Sequence, residues 1–505
     1  MNRLKAFSNK LLDKTFGKDE DHDVPRKELI GFTLGVFGQN NSCCFVGWFN
    51  YFCLHVLKFN PLLFGTLFGI VKVWDAINDP IVGAIIDKHR FKNGEKLRPF
   101  IKHLALPIGL IVIFLFIDFG LPKNVHLVIL IFVYMVYDFL YSFQDIGQWG
   151  MTALISKNPK ERERAAQIGR IGAMMGGWLA GLISLILSVT DSQGINRRIP
   201  FFIMALVLGC GGMLLSRAGA YAKERVPAIE KKVPKTGAFT ILFKNKIVLL
   251  VVLGSILGST TLVIQQITFF EYLLPDNKIF GIHIDGLTLS FIFGLLCGIP
   301  GSLAKPFTIW ISRKLGGMRY ILLISVIFNI GFRTVAFFIG YEGWHLILSG
   351  LCLMLVNIPA SMTDIATTAL WGESIDYLEW KTGARNEGTV FSMQNASAKI
   401  TGAISTFFLG ITLTLLKFDA ELKHNQSPIF YEYAWPVFIL APVLGSILNL
   451  IPIIFIRYNN ETKELLTREL RRVRLERAGT IPLDLEYKYD LYDDDEYYEA
   501  RRIRW

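Results

Sequence analysis

At 505 residues, with 52% hydrophobic and only 19% charged side chains, the chain is far more apolar than a soluble globular protein. Its net charge of +11 follows the loops and not one binding face, which argues against a nucleic-acid partner and for a chain whose basic loops flank a lipid bilayer. The six cysteines (Cys43, Cys44, Cys53, Cys210, Cys297, Cys352) all lie in apolar runs and form no CxxC pair, so neither a disulfide framework nor a zinc site is expected.

The first 28 residues are charged throughout and hold no short apolar core with a cleavage site, so they read as a cytoplasmic segment and not as a signal peptide. Beyond them, apolar runs of roughly 20 residues or more alternate with charged breaks, at the length a helix needs to cross about 30 Å of hydrocarbon. The runs fall at 29–56, 63–86, 101–120, 126–149, 165–189 and 199–219, then at 247–273, 287–312, 319–340, 345–371, 390–416 and 434–456. The expected fold is therefore an all-α integral membrane protein of about twelve transmembrane helices in two six-helix halves, residues 29–219 and 247–457. The basic, proline-containing stretch 220–246 reads as a cytoplasmic linker. Residues 458–505, basic and then acidic and tyrosine-rich, read as a solvated cytoplasmic tail.

Lys88, Arg90, Lys92, Lys96, Arg98 and Lys102 follow the second run, and Lys157, Lys160, Arg162 and Arg164 follow the fourth, whereas the alternate loops carry little beyond Lys58 and Lys123. The positive-inside rule then puts both termini in the cytoplasm of a multi-pass cell-membrane protein. An even split with matching basic loops, "DKHRFKNGEKLRP" and "SRKLGGMRY", is what a two-lobed transporter working by alternating access requires.

The second run contains "VKVWDAINDPIVGAIIDKHR", with Asp75 and Asp79 one helical turn apart on one face and Asn78 on the flank. An acid at mid-helix costs about 2.5–3.5 kcal/mol, so lipid exposure is excluded. Two carboxylates at this spacing repel unless a cation or proton joins them, which makes the pair a candidate site for Na⁺, Li⁺ or H⁺. The blander reading is a salt bridge to cytoplasmic basic residues. The fourth run supplies "YDFLYSFQDIGQW": Ser142 and Asp145 share a face, and Trp149 lies a turn further on. An acid, a hydroxyl and an indole together suit a sugar, whose hydroxyls bind carboxylates and whose C–H face stacks on a ring, although Trp149 alone would more often anchor an interface.

Cationic partners lie at Arg170, at the head of the fifth run, and at Lys399, deep in the eleventh, with Gln394 and Asn395 a turn before it. Lys399 is expected to pair with Asp145 or with the Asp75/Asp79 pair. Arg333 and Asp364 offer a second pairing, more simply structural. The glycines of "GRIGAMMGGWLAG", including Gly172, Gly176, Gly177 and Gly181, let helices approach closely.

Taken in order, "WDAINDPIVGAIID" with a basic loop ending "LRPF", "QDIGQW", "ERERAAQIGR" and "ARNEGTVFSMQNASAK" resemble the glycoside-pentoside-hexuronide:cation symporters of the major facilitator superfamily, melibiose permease among them, over about residues 29–456. The resemblance implies secondary active uptake of a glycoside or small oligosaccharide coupled to Na⁺, Li⁺ or H⁺, with no cofactor and no catalytic residue. It implies cation ligation by Asp75, Asp79, Ser142 and Asp145, with Asp75 and Asp79 holding Na⁺ if sodium is the coupling ion. It implies substrate contacts from Asn40, Asp145, Trp149, Arg170, Gln394, Asn395 and Lys399. It places Asp87, Arg90, Glu373, Asp376, Arg385 and Glu387 at the cytoplasmic gate. The expected partners are a sugar, a monovalent cation and the bilayer, with the protein acting as a monomer. On the first run this chain reads Gln39 and Asn40 where melibiose permease has a Lys-Asp pair, so the cargo need not be a galactoside. A lysolipid carrier of the same fold and a non-transporting membrane sensor are the alternatives; an integral-membrane enzyme would need a nucleophile-base pair or metal motif that the sequence lacks.

Overall fold

The computed structural model describes residues 23–89, 91, 94–225, 246–279, 281–382, 387–456, 463–466 and 468–470. Its long helices are α1 Arg26–Val46, α2 Pro61–Lys88, α3 Arg98–Leu115, α4 Lys123–Leu154, α5 Pro159–Gly181, α6 Arg198–Tyr221, α7 Lys246–Ser259, α8 Gly286–Leu315, α9 Met318–Ile339, α10 His345–Thr382, α11 Glu387–Leu415 and α12 Pro428–Ile454. Among the described residues, nine helical spans are long and apolar enough to cross a membrane. The helices outside that group depart for reasons their residues make plain. α1 carries Gln39, Asn40 and Asn41, α2 carries Lys72, Asp75, Asn78 and Asp79, and α7 stops at Ser259.

Helix starts follow local chemistry. Asn60 caps α2 by accepting from the Leu63 N–H, with Pro61 at the first helical position, and Ser427 caps α12 in the same way ahead of Pro428. The seventh apolar run, expected to be continuous over 247–273, instead breaks after Ser259 and resumes as Gln266–Leu273. At the break the Ser259 and Thr260 hydroxyls bond back to Ile256 and Leu257 carbonyls, and the Val263 N–H bonds to Thr412, so side chains compete with the helical ladder. Between that segment and α8 sits a two-stranded antiparallel hairpin, β1 Asp276–Ile279 and β2 Ile282–Asp285, an addition to the all-helical expectation. α10 continues past the expected end at 371 to Thr382.

The chain forms two compact units, one built on α1–α6 with Asp419–Asn425 and the other on α7–α12. In the first, α1 lies in close contact with α5 and α6. A Cβ added at Gly176 would sit 2.4 Å from the Phe37 carbonyl, and one at Gly38 would sit 2.4 Å from the Gly212 carbonyl, so only hydrogen fits between these backbones. The start of the expected linker is held down: Glu224 accepts the Lys96, Leu97 and Arg98 N–H groups at the head of α3, and Arg225 pairs with Glu28 through two bonds of 2.8 and 2.9 Å. Linker residues 226–245 lie outside the described residues.

The tail departs from the solvated reading where it is described. Residues 463–466 and 468–470 are helical, and Leu466 and Leu470 are buried in the apolar cluster of the second unit with Leu370, Trp371 and Ile375. The reason is the spacing of those leucines, four residues apart on one helical face. Residues 471–505 lie outside the described residues.

Candidate cation and substrate site

One face of α2 is a buried stripe of Phe64, Phe68, Val71, Asp75, Asn78, Val82 and Ile86, spaced three or four apart. The opposite face, Ile70, Val73, Ile77, Ile81 and Ile85, is exposed. The helix thus turns aliphatic groups outward and carries its polar groups within the unit, as the cost of lipid-facing charge requires.

The buried stripe meets α4. Ser142 donates to Asp79 Oδ1 at 2.9 Å, and Asn78 Nδ2 lies 3.4 Å from Ser142 Oγ and 3.5 Å from Asp138 Oδ2. Lys72 Nζ is 3.9 Å from Asp75 Oδ2, donates to the Tyr134 hydroxyl at 3.2 Å, and lies over the Phe68 and Tyr134 rings. Asn78 Oδ1 is buried and has no hydrogen-bond partner among the described residues. Carboxylate, hydroxyl and amide oxygens are the donors a hard cation prefers, and a buried amide oxygen without a proton donor is chemically fitted to such a ligand. Among the described residues, no group of three or more Asp, Glu, His and Cys side chains converges to hold a metal.

Asp145, one turn on from Ser142, accepts from Gln39 Nε2 of α1 at 2.7 Å. Asn40, the residue singled out on α1, turns its amide to the Val36 carbonyl of its own helix at 3.1 Å. Trp149 is half-buried and packs on the cluster containing Val82, Ile86 and Phe143. Arg170 lies well inside α5, not at its head, and is exposed. The structure therefore gathers Asn78, Asp79 and Ser142 in one cluster, places Asp75 on the same helix face beside Lys72, and joins Asp145 to α1 through Gln39.

In the second unit, Gln394 reaches toward the Thr368 hydroxyl at 3.5 Å, Asn395 is exposed, and Lys399 is half-buried on α11. The expected Arg333/Asp364 pair does not form. Arg333 donates to the Phe438 carbonyl at 3.0 Å, and Asp364 pairs with Lys305 at 3.0 Å. The Phe438 carbonyl is the one that Pro442, four residues on and lacking an N–H, leaves without a helical donor, and Arg333 supplies the missing bond. Of the gate residues, Glu373 is buried and accepts from Lys463 at 2.6 Å, and Asp376 is half-buried. Arg90 and Arg385, and the side chains of Asp87 and Glu387, lie outside the described residues.

Sequence reading passed over Lys72, Tyr134, Asp138 and Gln39 as site groups. Spacing alone could have found the first three: Lys72 is a turn before Asp75, and Tyr134, Asp138 and Ser142 repeat every four residues on α4.

The family model described as "MFS/sugar transport protein" matches residues 31–460. The chain is 26% identical to a lactose permease of Lactobacillus delbrueckii subsp. bulgaricus, over 76% of this chain and 63% of that protein, so it spans a little under two thirds of that relative. It is 25% identical to an isoprimeverose transporter of Lactiplantibacillus pentosus, over 88% of this chain and 91% of the relative. An Escherichia coli K12 protein, YagG, provisionally assigned as a glycoside/cation symporter, is 23% identical over 90% of this chain and 97% of its own length. Among solved structures, the nucleoside transporter NupG matches with a TM-score of 0.55 at 15% identity, over 86% of this chain and 99% of that one. A bacterial homologue of the lysosomal transporter Spinster matches with a TM-score of 0.56 at 12% identity, over 88% and 96%. At such identities these structures speak for the fold alone.

Proposed function

Because the chain belongs to the MFS/sugar transport protein family, within which its motifs group it with the glycoside-pentoside-hexuronide:cation symporters, we propose that it carries a glycoside or small oligosaccharide across the cell membrane by alternating access, coupled to Na⁺, Li⁺ or H⁺. The observation that carries the reading is the oxygen cluster of half-buried Asp79 with buried Ser142 and Asn78, Asn78 Oδ1 lacking a donor among the described residues, on the face of α2 turned away from the exposed aliphatic stripe.

In this reading the coupling cation takes oxygens from Asp75, Asp79, Asn78 and Ser142, while Lys72 offsets part of the negative charge that the acids hold when no cation is bound. Asp145, oriented by Gln39, accepts sugar hydroxyls, and Trp149 offers a ring face beside it. Arg170, Gln394, Asn395 and Lys399 are further substrate groups. Glu373 and Asp376, with Asp87, Arg90, Arg385 and Glu387, form the cytoplasmic gate, and both termini are cytoplasmic. A lysolipid cargo is disfavoured by the Gln39–Asp145 polarity between α1 and α4.

The test is uptake into proteoliposomes of a panel of labelled glycosides, with Na⁺, Li⁺ and proton gradients imposed one at a time. Uptake of at least one glycoside should follow one of these gradients, and Asp79→Asn should abolish the coupling. Uptake that ignores every imposed gradient in the intact protein, or that is indifferent to Asp79→Asn, would refute the proposal.

A further inference from the structure

We infer that the Lys305–Asp364 ion pair lines the sugar path of the second unit and selects for an uncharged, hydroxyl-rich cargo; this rests on the glycoside reading above and narrows it to a class. The pair has Lys305 Nζ 3.0 Å from Asp364 Oδ2, with side chains 42% and 72% exposed. Both residues lie near the middle of their spans. α8 runs from Gly286 to Leu315, 30 residues or about 45 Å, which puts Lys305 about 7 Å from its midpoint. The apolar span of α10, His345–Tyr377, has 33 residues, and Asp364 falls about 5 Å from its midpoint. Each is inside the roughly 15 Å half-thickness of a hydrocarbon core.

Exposed charge at that depth meets water or a ligand, never lipid. The lipid-facing side of α8 is recognisable from exposed Ile299, Leu303 and Phe307, and Lys305 is rotated by about 200° from Leu303. Asp364 is likewise about 220° round α10 from exposed Leu351. A turn away, Ser361 bonds the Gly301 carbonyl at 2.6 Å and seals the α8–α10 seam, so the pair stands at the open edge of a fixed contact. One turn further along α10, exposed Thr368 is approached by Gln394 of α11 at 3.5 Å, which extends the polar face.

The chemistry of that face sets the cargo. Carboxylate and ammonium already neutralise each other, so an acidic sugar would have to displace Asp364 from Lys305, and a cationic one would have to displace Lys305 from Asp364. A neutral sugar avoids both costs: one hydroxyl donates to Asp364, another accepts from Lys305, and the Thr368 and Gln394 groups accept and donate without charge. Among the relatives the family includes carriers named for sulfonated sugars as well as neutral ones, so the distinction separates real alternatives.

Two measurements test it. In proteoliposomes, the intact protein should prefer a neutral glycoside over its uronide by about tenfold or more in KM. Asp364→Asn leaves the ammonium unpaired and should narrow or invert that preference. Exchanging the charges, Lys305→Asp with Asp364→Lys, keeps the pair neutral and should restore the preference for the neutral sugar. A preference for the acidic sugar in the intact protein, an unchanged ranking in Asp364→Asn, or an exchange variant that ranks the sugars as Asp364→Asn does would overturn the inference. Separately, Lys305→Cys and Asp364→Cys should react with a hydrophilic methanethiosulfonate reagent above the level of the unsubstituted protein, whose native cysteines give the background. Failure of both to react overturns the inference whatever the cargo is, whereas reaction without any glycoside uptake would refute the glycoside reading and leave a water-lined ion pair in place.

Discussion

Ser142→Ala is the substitution whose outcome the site geometry defines most closely. The hydroxyl donates to Asp79 Oδ1 at 2.9 Å and lies 3.4 Å from Asn78 Nδ2, so its oxygen retains a lone pair for a cation held between the same groups. The donation to Asp79 is made with and without the cation, and its loss largely cancels from the binding equilibrium. The lone pair acts only in the loaded state. A bond of this kind to a charged partner contributes about 1.5–3 kcal/mol, which weakens cation binding by roughly 10- to 150-fold. Calorimetric titration of Na⁺ and Li⁺ into the purified protein, without sugar, reads that change directly, and Ser142→Thr should recover most of the affinity. Sugar affinity measured without cation should move less than about threefold, because the Asp145 contact with Gln39 does not involve Ser142. Unchanged or tighter cation binding in Ser142→Ala would show that the hydroxyl serves Asp79 alone and is not a ligand.

Gln39→Leu removes the 2.7 Å donor to Asp145 and should raise the KM for sugar by about tenfold while leaving the cation titration in place. Gly38→Ala sets a Cβ 2.4 Å from the Gly212 carbonyl, a backbone atom that cannot swing aside; about 1–3 kcal/mol of destabilisation is expected, read as a lower unfolding temperature in detergent. Leu466→Ala, at a side chain 2% exposed in the second unit's cluster, should cost about 2–5 kcal/mol of docking and make residues 463–470 exchange amide hydrogens far faster than in the intact protein. Glu28 titrates below the ordinary carboxylate value: burial opposes its ionisation, but the Arg225 guanidinium and the Lys223 N–H override that opposition. A lowered folded pKa means a contribution present above the unfolded value and lost as pH falls through the folded one. The stability gap between the intact protein and Glu28→Gln should therefore be widest near neutrality and close in acid, and thermal melts across pH 3–7 measure it.

The helical spans were legible because apolar length is a local property, and the membrane allows few alternatives to it. The same rule made the inward face of α2 legible, since Asp75 and Asp79 have no tolerable place except inside the bundle. What failed was pairing. Arg333 and Asp364 are both charged, and charge complementarity suggested a bond, yet each finds a nearer partner. Arg333 answers a carbonyl freed by Pro442, and Asp364 answers Lys305 across the α8–α10 seam. Neither partner could be found from sequence distance, because helix rotation and register decide which groups meet. Gln39 and Asn40 part on the same ground: neighbours in sequence are about 100° apart on a helix, and it is Gln39 that meets Asp145 of α4 while Asn40 bonds Val36 of its own helix. The break in the seventh run was hidden because Ser and Thr are compatible with a membrane helix until their hydroxyls engage the backbone.

The polar groups between α2 and α4 also bear on how the proposed site would respond to an ion. A cluster satisfied entirely by its own donors would be a rigid core element, with no free energy to gain from a cation. Here the Asn78 amide is divided: its nitrogen is placed between Ser142 and Asp138, while its oxygen is buried without a donor. Among the described residues that asymmetry leaves an unmet acceptor beside the Asp79 and Asp138 carboxylates, and in the proposed reading a positive ion answers it. The exposed Lys305–Asp364 pair has the opposite character, neutral and satisfied, and suits a ligand that exchanges hydrogen bonds without bringing charge. In the proposed reading the two constellations differ in chemistry: the oxygens between α2 and α4 suit a cation, whereas the Lys305–Asp364 pair, like Asp145 on α4, suits hydroxyls.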